Sequence, residues 1–360
     1  MKIVFILILG LILVVIFFLV FIFKNRLGKP INEVVSDSYY YDPRGNKIIY
    51  SPMGNTFELG YTETEADAAS FVVLSRYAGK DSKTVYWKGK KTKADPSSFI
   101  IDSNRIPKDD LHVYFPGDSP DSLYVIKGAD PKTYEPLPTL NNVYYHYWAQ
   151  DTSSIFLDGK KVDADKATFV RLNTSIATDV SSIYSIEPSG TLTVGNPGAT
   201  ILVHRGTKPA GEAKAINESY ARIGQSIAFS GWKNKFALLT FDQINSIRVV
   251  NERNVLVDNV LISDGKKIEG IDGASLEIIQ RDYFKDKNSV YYDAEKIPLA
   301  DPQTFVVVYE EYSKDNQHVY YKTDVLDGAK PNAFTIDYAS GIASDGNLSF
   351  KDGQVVTEKK

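Results

Sequence analysis

The residues that could do chemistry are few. The chain holds four histidines, His112, His146, His204 and His318, and no cysteine. Without a thiol there is no disulfide, no thiolate nucleophile and no cysteine-ligated metal. The histidines show no H-E-x-x-H or other metal-ligand spacing. His318 sits in a repeated turn where Ser289 is its counterpart. No G-x-S-x-G elbow, P-loop or dinucleotide fingerprint is present. The turns "DKN" from Asp286 and "SDGN" from Ser344 are rich in carboxylate and amide oxygen. A calcium loop of the EF-hand type needs about six oxygen ligands closed by a Glu. Neither turn supplies them, so both read as polar turns. The expectation is therefore no catalytic residues, no metal and no cofactor. A hydrolytic enzyme with its site in residues 174–250 stands as the alternative.

What remains is contact chemistry. The chain carries 23 Tyr and 18 Phe, residues that favour half-buried pleated surfaces. Four aromatic pairs are adjacent in sequence: Tyr86-Trp87, Tyr144-Tyr145, Tyr291-Tyr292 and Tyr320-Tyr321. On a strand, neighbouring side chains point to opposite faces. One ring of each pair is expected to build the core and the other to line an outer face. A ladder of such rings would suit a glycan or a protein, because Tyr joins apolar area to a hydrogen-bonding tip. The same rings would serve as cross-strand packing, worth about 0.2–1 kcal/mol per pair. "GKK" recurs at Gly89, Gly159 and Gly265. Lysines after a turn protect a strand edge from pairing with other chains; the alternative is a seat for an acidic polymer. With a net charge of −4, nothing points to nucleic acid.

These residues belong to a repeated sentence. "KDKNSVYYDAEKIPLADPQTF" (285–305) aligns without a gap to "KDNQHVYYKTDVLDGAKPNAF" (314–334), a spacing of 29 residues. "YAGKDSKTVYWKGKKTKADPSSF" (77–99) aligns likewise to "YWAQDTSSIFLDGKKVDADKATF" (147–169). Self-similarity at this period marks a repeat architecture. Each unit offers a β-branched and aromatic run, a polar turn and a return run, which is a hairpin. The "DG" of "LDGKK" and "SDGKK" is the preferred two-residue hairpin turn, and "ADP-x-[ST]-F" leads into the next strand. One hairpin is marginal in water, so several must join to bury a common core. From 174 to 250 the pattern fades: either decayed repeats or an insertion that carries a site. Within it, Pro209 to Gln225 is expected to hold a short helix.

Tyr283 to Tyr292, "YFKDKNSVYY", and Tyr312 to Tyr321, "YSKDNQHVYY", resemble the DKNYY repeat family of bacterial proteins. Asp286, Lys287, Asn288, Tyr291 and Tyr292 match its core; Asp301, Pro302, Thr304 and Phe305 match its tail. Asp81-Ser82-Lys83 and Lys330-Pro331 depart from it. The resemblance implies a bacterial envelope-type protein and supplies no catalytic residues.

Ile3 to Phe23, "IVFILILGLILVVIFFLVFIF", is 21 residues without a charge. A helix of that length spans roughly 30 Å, the hydrocarbon thickness of a bilayer. The expected fold class is thus mainly β: antiparallel β-hairpin repeats in an elongated array, preceded by one N-terminal transmembrane α-helix. Residues 1–23 would be a signal anchor and 24–60 a linker. Repeats would occupy 61–173 and 251–360, flanking the divergent 174–250. The expected function is non-catalytic binding of an envelope protein or glycan by the array. Its expected place is the cytoplasmic membrane, with the C-terminal domain outside it. A purely structural scaffold is the other non-enzymatic reading.

Overall fold

The computed structural model describes residues 10, 12–19, 27–55, 58–117, 123–138, 147–189, 197–231, 235–280 and 282–356. Nine four-stranded antiparallel sheets are found among them, each a meander whose strands pair in chain order. A tenth is split in two: Ile100–Ile101 pairs with Pro107–Lys108, Tyr114–Pro116 pairs with Leu123–Val125, and a Lys108–Val113 bridge joins the halves. The chain forms two packed units, Met1–Phe169 with Ile186–Val203, and Val170–Ser185 with His204–Lys360.

The meander follows from local chemistry. In the sheet Glu277–Gln280, Tyr283–Lys285, Val290–Tyr292 and Glu295–Lys296, the two central strands are the aromatic runs of the repeat. The outer strands are short and polar. Type I′ turns need positive φ at both central residues, and Asp158-Gly159 (φ 44° and 72°) and Asp264-Gly265 (44° and 74°) supply it. Gly89 has a second reason to be glycine. A Cβ there would come within 2.8 Å of the Tyr50 Cβ, so the turn lies directly on the preceding sheet.

Within each unit, consecutive sheets stack face to face. Tyr283 and Val290 join Phe305 and Tyr320 of the following repeat in one cluster. Phe284 and Tyr291, the alternate residues of the same strands, join Leu256 and Leu261 of the preceding one, with Leu276 at the start of their own. Period two thus feeds two cores instead of a core and a surface. Burying one such side chain contributes roughly 1.5–3 kcal/mol.

Two expectations change. Residues 24–60 are not a linker: Pro30–Asn32, Ser36–Tyr41 and Ile48–Tyr50 make three strands of the first sheet, because Tyr39, Ile48 and Tyr50 are core residues. Residues 209–225 contain no helix; they form the strands Ala213–Ala215 and Tyr220–Ile223. The divergent middle is built of further meanders, 213–240 and 247–268 among them. Of the apolar span 3–23, Gly10 and residues 12–19 are helical and the rest lies outside the described residues. Among the described residues no helix is long and apolar enough to cross a membrane.

Candidate functional site

The Asp of each D-K-N-like turn is the most connected side chain of its repeat. Asp315 Oδ1 accepts the N–H groups of Gln317 (2.7 Å) and His318 (2.6 Å). Its Oδ2 accepts the Tyr320 hydroxyl (2.7 Å) and the N–H of Asp301 (3.0 Å), fourteen residues upstream. Asp286 repeats all four bonds, with Asn288, Ser289, Tyr291 and Asp272 as donors. Asp81 does so with Lys83, Thr84, Tyr86 and Asp67. Asp109 does so with Leu111, His112, Tyr114 and Asp95. Asp151 and Asp345 keep three of the four, because Phe156 and Phe350 stand where the tyrosine would be. The family motif is therefore a clamp. The carboxylate closes its own turn, receives the first Tyr of the pair, and ties the sheet to the connector before it.

The electrostatics match. Burial works against ionisation of Asp286 and Asp315, but the backbone donors and the tyrosine outweigh it and hold both carboxyls below the usual range. Burial, then donation to Asp286, pushes Tyr291 up to about 12. A carboxylate held ionised and fully occupied is a poor general acid or base near neutral pH. The tail carries its own cap. Asp301 accepts from Gln303 N–H and Thr304 Oγ1, and the Lys314 ammonium reaches the carbonyl of Pro331 at 2.7 Å, as Lys285 reaches Pro302.

Among the described residues the aromatic pairs do not form an outer ladder. Tyr86 and Trp87 are both buried, at 1 % and 5 % exposure, and belong to the cores on opposite faces of their sheet. Tyr291 and Tyr320 are buried on their aspartates. Tyr292 and Tyr321 are half-buried, packed on Tyr283 and Tyr312 with ring centroids 4.9 Å apart. Stacking of sheets covers both faces of the central strands, and that is the physical reason. Tyr144, Tyr145 and His146 lie outside the described residues. An acidic groove of about 260 Å³, lined by Gln280, Asp282, Tyr283, Tyr292, Glu310 and Glu311, is what Tyr292 opens onto. The described histidines are turn and packing residues: His112 and His318 close Asp turns through their backbone N–H groups, and His204 packs edge-on to Tyr184. Among the described residues no group of acidic and histidine side chains is placed to hold a metal ion.

The "GKK" lysines fall on edge strands, Lys90–Lys91 and Lys160–Lys161, and both pairs are exposed. The first pair borders a groove of about 260 Å³ lined by Trp87, Lys90, Lys91, Thr92, Lys93, Tyr114, Leu123 and Val125.

A set of turns that sequence reading did not single out lies in the divergent middle. Asn173 Oδ1 accepts from Ser175 and Ile176, and its Nδ2 donates to the carbonyls of Asn217 (2.8 Å) and Tyr220 (3.1 Å). Asn217 Oδ1 accepts from Ser219 and Tyr220, and its Nδ2 donates to Asn251 (3.2 Å) and Glu252 (3.3 Å). "NTSI", "NESY" and "NERN" share the Asn, but unequal spacing hides the relation.

The model of the DKNYY family matches residues 125–354. No curated protein matches the chain.

Proposed function

The chain belongs to the DKNYY family, and from that premise we propose that it is a membrane-anchored repeat protein whose β array binds a protein or polymer at the bacterial envelope. One observation carries the binding reading. The side chains best suited to chemistry, the clamp aspartates and their tyrosines, are spent on the chain's own donors, whereas the exposed groups are edge lysines and half-buried aromatics around shallow grooves. The middle segment continues the same meanders, which supports binding over a hydrolase sited there. The uncharged run Ile3 to Phe23 supports an anchor. A long domain following a single span translocates largely regardless of its charge, which supports an extracytoplasmic array.

Protease added to intact cells or spheroplasts tests this, with a C-terminal tag as readout. Loss of the tag is expected. Protection until lysis would place the array in the cytoplasm and remove envelope polymers from consideration.

A further inference from the structure

We infer that the groove beside the Lys90–Lys91 edge is a binding site for a linear anionic polymer, one bearing a carboxylate or phosphate on each repeating unit. The inference rests on the binding reading above and gives it a place and a ligand chemistry. Lys90, Lys91 and Lys93 lie within four residues, are all exposed and line the groove; Lys90 pairs with Trp87 and Lys91 with Tyr86 on the neighbouring strand. Lys91 is paired with Glu65. Lys90 and Lys93 have no side-chain partner among the described residues.

Edge protection alone does not account for this place. It needs only a charge on an outer strand, and the other lysine pairs have work inside their own fold. Lys160 lies against Gly198, its Cδ 2.5 Å from where a Cβ would sit. Lys267 lies 4.2 Å over the ring of Phe241. Lys90 and Lys93 instead border a concavity walled by Trp87, Leu123 and Val125. Trp87 contributes a mostly buried apolar wall to that concavity. At about 260 Å³ the groove is smaller than a drug-sized pocket of roughly 300–1,000 Å³. It suits one monomer of a longer chain, with neighbouring anionic groups running along the lysine rim. Ammonium groups reading a polyanion make the binding salt-dependent.

The test uses the full-length protein in detergent micelles, titrated with oligogalacturonate, with poly(glycerol phosphate) and with neutral dextran, at low and at raised salt. Binding of one or both anionic polymers, lost at raised salt and absent for dextran, is expected; the two polymers distinguish carboxylate from phosphate recognition. The double variant K90A/K93A should bind about tenfold more weakly or worse, with an unchanged circular dichroism spectrum. Glu65→Gln, which frees Lys91, should tighten binding. No binding of either polyanion, or equal binding of dextran, overturns the site. Equal affinity of wild type and K90A/K93A also overturns it, yet leaves the broader binding reading standing, since the protease experiment decides that separately.

Discussion

Two stretches of the chain solve the same problem in opposite ways. In 272–345 the organising side chain is an aspartate in the turn between the second and third strands. It accepts, and it reaches backwards: Asp315 holds the N–H of Asp301 in the connector before its own sheet. In 173–251 it is an asparagine in the turn between the first and second strands. Its oxygen closes the turn in the same way, but its amide donates forwards, from Asn173 to Asn217 and from Asn217 to Asn251. Where a connector presents N–H groups, a carboxylate satisfies them; where the next turn presents carbonyls, only an amide can. The difference teaches that the clamp is defined by the partner it must satisfy. The asparagine stretch keeps carboxylates of its own, since Asp179 accepts the N–H groups of Ser181 and Ser182 and the Tyr184 hydroxyl, and Asp258 accepts those of Asn245 and Ser246, so the contrast holds joint by joint.

The comparison breaks most severely at the aspartate. Asp315→Ala leaves three backbone N–H groups and the Tyr320 hydroxyl without their acceptor. It should cost about 3 kcal/mol or more, read as a shift in denaturant midpoint at unchanged slope. Next is Asn217→Asp, which puts a carboxylate against the carbonyls of Asn251 and Glu252. A loss of about 2 kcal/mol at neutral pH is expected. Its folded pKa would be raised, so the penalty should shrink as pH falls, and a pH series of unfolding curves reads that sign. Tyr291→Phe removes one bond to a charged acceptor and keeps the packing. About 1 kcal/mol is expected, since Phe156 already occupies the matching place beside Asp151. Smallest is Lys314→Met, which gives up the bond to the Pro331 carbonyl. Its effect should stay within about 1 kcal/mol; a loss as large as that of Asp315→Ala would mean the lysine, not the aspartate, holds the connector.

Much of the fold was legible because its determinants are local. The two-residue turns follow from Asp-Gly and its positive φ, and the hairpins from aromatic runs of period two. The burial of Tyr86 and Trp87 together was not legible. Alternation says only that two side chains face opposite ways; whether the second face meets water depends on the next sheet. The helix expected between Pro209 and Gln225 failed for a related reason. "GEAKAINESYARI" is rich in helix-forming residues, yet Asn217 caps a turn and Gly224 (φ 57°) makes another, and pairing across those turns outweighed propensity. Among candidate contact residues, Trp87 was singled out for its ring. Its role at a lysine-rimmed groove depends on Leu123 and Val125, which only the fold brings to it.

The most direct test of the two-clamp account is hydrogen exchange, followed segment by segment at neutral pH and near pH 3. The carboxyls of Asp286 and Asp315 lie below the usual value in the fold. Their contribution is therefore complete above the unfolded value of about 3.9 and is lost as pH falls from there through the folded pKa. The account predicts that, once the intrinsic pH effect on exchange is removed, the N–H groups of Asp272 and Asp301, held by Asp286 and Asp315, lose protection near pH 3 while those of Ser219 and Tyr220, held by Asn217, retain theirs. Equal loss at both sets of amides, or earlier loss at those held by Asn217, would contradict it.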